Sequence, residues 1–570
     1  MNNKQAIDTS QPIENYLFQA SAADFKKIPG KPIAYWASPS FCNSFFSGEK
    51  IGSAAKKGLS CSGTDIFYRY HWEVKKDSFS KNGGEVWFPI TKGGPFRKWY
   101  GNNDNLIYWA DNGDSIRSRT DKSGNPLAVI RNEKAYFKTC VSWNDVSTGR
   151  LSSRFTPEGS IPTDSGPAIY SSDKLYGILA FLNSCVSKPF TDVLCPTIHF
   201  GVGQISEFPL LLNPEISYRD VTEALINQSK LDWDSYETSW DFTGLPLLNP
   251  DYLQPTLKAT YQKLRADWQE MTLEIQQLEE ENNRIFIESY GLHDELTPNV
   301  PLDEITLTCN PHYRYGSNKS EEELEALLLA DTMRDLVSYA VGCMFGRYAL
   351  DKPGLILANQ GETIEDYLER VPEPSFPADD DNVIPMLDGD WFTDDITERF
   401  REFLRIAFGE EHYDENLRFV EQALGKDIRK YFLKDFYNDH VRRYKKRPIY
   451  WLFSSPKGSF NTLIYMHRYQ PHTVGTVLEY LRDFKDEKLK ARKNHLEAVS
   501  ISAGASQGDK TKALKEIEKI NKILAELDDY ERDVLYPLAT EQVEIDLDDG
   551  VKANYPKFGD ALKKITGLSQ

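Results

Sequence analysis

The chain has 570 residues, with 67 Lys and Arg against 86 Asp and Glu and a formal net charge of -19. Such a length exceeds what one hydrophobic core serves and predicts two to four domains, while 40% hydrophobic and 27% charged residues exclude a disordered chain. No run of about 18 apolar residues occurs, which excludes a spanning helix and a membrane partner, and the acidic total argues against nucleic acid binding over the whole surface.

Residues 1–23 are polar, begin Met1-Asn2-Asn3-Lys4-Gln5 and contain no apolar signal core, so they predict a loose lead segment and no secretion. Seven cysteines (Cys42, Cys61, Cys140, Cys185, Cys195, Cys309 and Cys343) are scattered without paired spacing. That fits a reducing, cytoplasmic location and predicts neither a disulfide framework nor a zinc site.

Residues 24–212 are rich in Gly, Pro, Ser and aromatics, with β-like runs at 32–36, 86–90 and 135–138. Asn112-Gly113 predicts a hairpin turn between the runs 106–109 and 115–117. Residues 175–184 predict a short buried helix, which makes this an α+β domain. From 56 to 154 the sequence holds 17 Lys and Arg against 10 Asp and Glu, a local excess of +7 on an acidic chain. Within it lies Gly93-Gly94-Pro95-Phe96-Arg97-Lys98-Trp99-Tyr100-Gly101-Asn102. Two cations, two large aromatics, glycine corners and an amide suit a loop laid against a polyanion, with cations for phosphates or base edges and flat rings to stack.

Beyond residue 212 the texture becomes helical. From 252 to 290 an amphipathic helix runs through Leu253, Leu257, Tyr261, Leu264, Trp268, Met271, Ile275 and Leu278 at spacings of three and four. Asn282 and Asn283 interrupt the stripe, which favours an intramolecular hairpin over a coiled-coil arm. Long connecting helices are expected over 213–300 and a mainly helical domain over 301–480. That domain holds helices at 321–349 and 394–408, a Pro- and Asp-rich linker or surface loop at 371–390 and a strand at 449–453. Residues 481–570 predict a charged C-terminal helical hairpin and tail, its turn at the Ser/Ala/Gly stretch 500–508.

Asn310-Pro311-His312-Tyr313 approaches the Asn/Asp-Pro-Pro-Tyr/Phe motif by which amino-methyltransferases hold a flipped base. The second Pro is His here, and no glycine-rich loop after a strand stands upstream to cradle S-adenosylmethionine. The residues therefore read as a turn after a strand at 305–307. His467 and His472 lack a third ligand and read as a surface turn, and Asp379-Asp380-Asp381 reads as a solvated loop. No Gly-x-Ser-x-Gly, P-loop or His-Glu-x-x-His occurs.

Several runs carry a family resemblance. Ser62-Gly63-Thr64-Asp65, Phe67-Tyr68-Arg69-Tyr70-His71-Trp72-Glu73-Val74 and the 94–101 loop resemble a DNA target-recognition region. So do Ser142-Trp143-Asn144, Ala180-Phe181-Leu182-Asn183-Ser184 and the run 196–205. Val337-Ser338-Tyr339-Ala340-Val341-Gly342, continuing to Tyr348, Arg447-Pro448-Ile449-Tyr450-Trp451 and Ile545-Asp546-Leu547-Asp548-Asp549-Gly550 narrow it further. Together they resemble the C-terminal half of the PglX-type adenine-specific DNA methyltransferases of BREX phage-defence systems, over nearly the whole chain.

The resemblance implies a mixed α/β DNA target-recognition domain followed by a mainly α-helical body. It also implies double-stranded DNA as partner, together with a methyltransferase half or other BREX proteins. Complete members carry a methyltransferase domain that takes S-adenosyl-L-methionine. This chain lacks its motifs, so it is expected to hold no cofactor, to be inactive alone, and to be a split gene, a truncated homologue or a fragment. The DNA-binding residues expected are Arg69, Lys92, Arg97, Lys98, Trp99, Tyr100, Asn102, Arg117, Arg119, Asn144, Arg150 and Arg154. The competing expectation is a protein-interaction scaffold of the defence complex with a decayed recognition domain.

Overall fold

The computed structural model describes residues 25–568; the expected lead segment 1–23 lies outside them. With 50% helix and 10% strand the chain is α+β, small sheets preceding a helical body. No described helix is long and apolar enough to cross a membrane.

The N-terminal region is built on two four-stranded sheets. Its strands are β1 (Ala55–Lys56), β2 (Tyr68–Tyr70), β3 (Trp87–Thr91), β4 (Asn105–Tyr108), β5 (Cys140–Trp143), β6 (Ser153–Thr156), β7 (Ile161–Pro162) and β8 (Ala168–Ile169). One sheet has the order β7-β3-β4-β2 and the other β1-β8-β5-β6, antiparallel except for the β7/β3 pair. Tyr68 and Phe88 both oppose Ile107 in the central strand β4. Ile107 is fully buried and anchors a small separate core with Leu59, Phe67, Ile90, Trp109, Ile116, Tyr136 and Ile161. These residues form a lobe outside the main core.

Three local expectations fail here for backbone reasons. Residues 106–108 pair with β2 and β3, not with the segment that follows. Asp111, Asn112 and Gly113 take left-handed φ of 50°, 58° and 75° inside the helical stretch Ala110–Arg117. These are the residue types that tolerate that region, and three in succession turn the chain without a two-stranded ladder. A Cβ on Gly113 would also meet the Trp109 ring at 2.7 Å. Residues 135–138 form no strand, because the 3-10 turn Glu133–Ala135 leads to Phe137 at φ 65°. Residues 32–36 are irregular, with Ile33, Tyr35 and Trp36 exposed.

The helices follow their apolar spacing more closely. Helix α1 (Leu175–Asn183) is buried, with Leu179, Phe181 and Leu182 fully enclosed. Helix α2 (Tyr218–Asp234) packs on it, and α3 (Leu257–Tyr290) meets it where Phe286 and Tyr290 face Phe181. The Thr256 hydroxyl accepts from Ala259 N at 3.2 Å to start α3, and Gly291 at φ 64° ends it. Asn282 and Asn283 do not interrupt it. Asn282 Nδ2 donates to Ala180 O at 3.0 Å, and Asn283 joins Pro298 O at 2.9 Å and Cys185 N at 2.8 Å. The stripe thus continues in polar form, satisfying buried groups of neighbouring segments.

Helix α4 (Glu321–Met344) starts with a Ser320/Glu323 capping box, and α5 (Ile396–Phe408), α6 (Tyr413–Leu424) and α7 (Tyr437–Arg443) follow. The run 371–390 is not a free linker. It supplies β9 (Ile384–Pro385), which pairs with β11 (Asn461–Tyr465) beside β10 (Tyr450–Ser454) in the order β9-β11-β10. Residues 305–307 form no strand: after the 3-10 turn Leu302–Glu304, Leu307 N donates to Ile305 O at 2.8 Å in a tight turn. Helices α8 (Lys490–Ile501) and α9 (Gln507–Tyr530) form the hairpin, its turn at 502–506. The largest hydrophobic cluster runs from Ile28 to Leu568 and crosses the composition change at residue 212.

Candidate nucleic-acid interface

The cation-rich loop 93–102 is seated on the helical body. Arg97 Nη2 donates to Asp232 Oδ2 of α2 at 2.7 Å, Nη1 to Thr308 Oγ1 at 3.0 Å and Nε to Tyr100 O at 2.9 Å. Its guanidinium lies 4.8 Å from the Trp233 ring. Lys98 pairs with Glu279 of α3, and Trp99 Nε1 donates to the same carboxylate at 2.7 Å. Burial raises the Glu279 carboxyl above its ordinary value, against the pull of Lys98. Trp99, Gly101 and Asn102 have φ of 68°, 127° and 58°, and a Cβ on Gly101 would meet Arg97 Nε at 2.5 Å. The glycine lets the backbone fold over the guanidinium.

Arg154 completes this buried cluster. Its Nη2 donates to Asn144 Oδ1 at 2.7 Å and its Nη1 to Arg97 O at 3.3 Å, and Asn144 Nδ2 donates to Gly94 O at 2.7 Å. Burial, then the neighbouring Arg97 charge, bring Arg154 down to about 10. Burial pushes Tyr100 up to about 12.

The expectation that this loop faces DNA is therefore corrected. Arg97, Lys98, Trp99, Tyr100, Asn102, Asn144 and Arg154 are all buried. The cations are neutralised by carboxylates 135 and 181 residues further along the chain or satisfied by neighbouring oxygens. The loop acts as a strut between the sheets and α2 and α3. The Asn310 turn meets the same strut, since Tyr313 Oη donates to Phe96 O. Asn310 is fully buried, caps the short helix Pro311–Tyr315 and gives its amide hydrogens to Leu302 O and Ile305 O.

The remaining expected residues are distributed over three places. Arg117 and Arg119 stand on the lobe built around Ile107. Arg117 is exposed and pairs with Glu133, while Arg119 Nη1 donates to Ser62 O at 2.9 Å beside the Phe67 ring. Arg150 is exposed and pairs with Glu304 at 2.6 Å. Arg69 and Lys92 line a cleft of about 120 Å³ with Tyr68, Tyr70, Arg447 and Lys552. Burial lowers the Lys92 ammonium. The fold does not bring the 97–98 and 117–119 pairs to one face.

Beside Tyr70 of this cleft stands a cation that sequence reasoning missed, Lys445, with Lys446 following it. After α7, Lys445 and Lys446 take φ of 51° and 60° and are exposed. Lys445 pairs with Asp104 and lies 5.4 Å from the Tyr70 ring, which stacks on Trp72. The run Arg442-Arg443-Tyr444-Lys445-Lys446-Arg447 was the available signal. The acidic C-terminal turn docks beside the cleft. Trp87 Nε1 donates to Asp548 Oδ1 at 3.0 Å, and Lys75 pairs with Asp546 at 3.1 Å and Asp548 at 3.3 Å.

Over 95% of its length the chain is 37% identical to the adenine-specific methyltransferase BrxX of Escherichia coli O9:H4 (strain HS). Over 98% of its length it is 34% identical to the adenine-specific methyltransferase PglX of Lacticaseibacillus casei (strain Zhang). In both comparisons it covers 46% of the relative, so the chain spans about half the length of the curated relatives it matches. No protein-family model matches it.

Proposed function

We propose that this chain is the double-stranded DNA recognition region of a BREX-type adenine N6 DNA methyltransferase, with residues 24–212 as the recognition domain. One observation carries the reading: similarity to two adenine-specific methyltransferases runs along 95–98% of the chain. The lobe around Ile107 supports it by presenting Arg117 and Arg119 outside the main core. On this reading DNA meets the lobe and the cleft of Arg69, Lys92 and Lys552, while the 93–102 loop only sets their position. An arginine fork suits guanine O6 and N7; the lysines suit phosphates.

The glycine-containing run 341–346 does not offer the open backbone that a cofactor loop would need. Gly342 lies in the buried C-terminal part of α4, where a Cβ would meet the Tyr348 ring at 2.4 Å, so the close backbone is already occupied by protein. Methyl transfer belongs on this reading to another part of the complete enzyme, and that part or other BREX proteins are the partners. The test is duplex selection on the pure chain: enrichment of one sequence from a random duplex pool supports recognition. Recovery of an unenriched pool, or of no DNA at low salt, rejects it.

A further inference from the structure

Arg347 is 1% exposed, yet no carboxylate of the described residues lies within ion-pair distance of it. Its Nε donates to Tyr348 Oη at 3.1 Å and its Nη1 to Tyr465 Oη at 2.8 Å. A guanidinium offers five donors; its hydrogen-bond partners here are two neutral hydroxyls, and the rings of the same tyrosines lie 5.4 Å and 5.8 Å from it. The acid that acts on it from a distance, Glu237, spends Oε2 on Ser338 and Tyr444 at 3.0 Å each, and its Oε1 has no partner. A buried charge without a counter-ion costs several kcal/mol. Such a group persists where something else completes it.

What stands beside Arg347 is a cleft of about 270 Å³ between the N-terminal region and the helical body. Its walls include Phe79, Phe242, Trp240, the imidazole of His71 and the carboxylate of Asp241, which Lys81 pairs at 2.7 Å. Trp240 is half-buried, and Lys81 Nζ lies 5.1 Å from its ring. His71 is anchored to Thr238 O at 3.0 Å. The same cleft reaches His467, a buried imidazole whose Nδ1 has no partner. Aromatic walls with a few convergent polar groups make a ligand site. A cation at the base selects an anionic group, and an accessible indole selects a planar ring.

We propose that this cleft binds a small anion carried on a planar heterocycle, of the nucleoside monophosphate type, with the anionic group at Arg347 and the ring against Trp240. The volume suits a mononucleotide better than a bare anion. The site is independent of the DNA surface argued above, because neither Arg117 nor Arg119 lines it.

The experiment is calorimetric titration of the full chain with adenosine and guanosine monophosphates, with adenosine alone and inorganic phosphate alone as the separated halves. The monophosphates should bind more tightly than either half. Trp240→Ala should weaken them by about tenfold or more, since stacking on one aromatic is worth about 1 to 3 kcal/mol. Arg347→Gln should erase the preference for the phosphate-bearing ligand. Trp240 is half-buried, so its variant tests the site even where Arg347→Gln fails to fold. No heat from any monophosphate at millimolar concentration overturns the proposal. So does binding of phosphate alone as tight as the nucleotide, an adventitious ion only, or binding unchanged in Trp240→Ala. Duplex binding should stay unchanged in Trp240→Ala, so the two readings fail separately.

Discussion

Arg97 Nη2 donates to Asp232 Oδ2 at 2.7 Å in a place where the guanidinium is 3% and the carboxylate 0% exposed. The same carboxylate accepts from the backbone N of Thr308 at 2.7 Å and of Cys309 at 2.9 Å. One acid on α2 thus holds both the 93–102 loop and the segment before Asn310. Removing either partner leaves a buried charge uncompensated.

The first expected outcome concerns stability. Arg97→Ala should lower unfolding stability by about 3 to 5 kcal/mol, the usual cost of breaking a buried ion pair. Chemical denaturation of the two chains measures it. A loss below about 1 kcal/mol would mean that the pair contributes no more than a surface one.

The loop also explains what the sequence could and could not reveal. Helix α3 was legible because Leu257, Tyr261, Leu264, Trp268 and Ile275 repeat at helical spacing and pack as that spacing requires. The α8/α9 hairpin was legible from its Ser/Ala/Gly turn. The fate of Arg97 and Lys98 was not, because their counter-ions lie 135 and 181 residues away. Composition distinguishes a cation from an apolar residue; it does not distinguish a solvated cation from one neutralised by a distant acid. The Asp111-Asn112-Gly113 turn was missed for a different reason. All three residues tolerate left-handed φ, so local chemistry allowed a helical turn as readily as a hairpin.

A second outcome concerns acid. Burial holds the imidazoles of His71 at about 4 and His467 at about 3, with the Arg347 charge lowering both, Lys81 lowering His71 further and Asp104 raising it. In the unfolded chain they titrate near 6.5. Between these values the unfolded chain binds the proton and the folded chain does not, so stability rises with pH. The contribution is complete above about 6.5 and is lost as pH falls toward 4. His71→Gln should reduce the slope of unfolding free energy between pH 6 and 4.5 by up to about 1.4 kcal/mol per pH unit. An unchanged slope would show that His71 is protonated in the folded chain.

Asn310 gives a third. Its Oδ1, the atom that would accept from the exocyclic amine of a flipped base, accepts from His312 N at 3.1 Å, its amide hydrogens go to Leu302 O and Ile305 O, and the side chain is fully buried. The chain alone, incubated with duplex DNA and labelled S-adenosyl-L-methionine, should transfer no methyl group. Asn310→Ala should unfold at lower denaturant, losing about 1 to 3 kcal/mol through the unpaired carbonyls and the lost cap. Transfer above a no-protein control would restore the catalytic reading of Asn310-Pro311-His312-Tyr313.

The cleft cations give a fourth. Lys92→Ala and Lys552→Ala should weaken every duplex alike and each reduce the salt slope by about one unit. Weakening confined to one sequence would make these residues base readers instead of phosphate contacts.

The most direct measurement is duplex affinity across a salt series for Arg117→Ala and Arg119→Ala beside the unmodified chain, each checked for an unchanged melting temperature. The account predicts folded variants that lose about 1 to 3 kcal/mol of binding to the preferred duplex and little to others. Wild-type affinity, sequence preference and salt slope in both would contradict it and remove the lobe from the DNA surface.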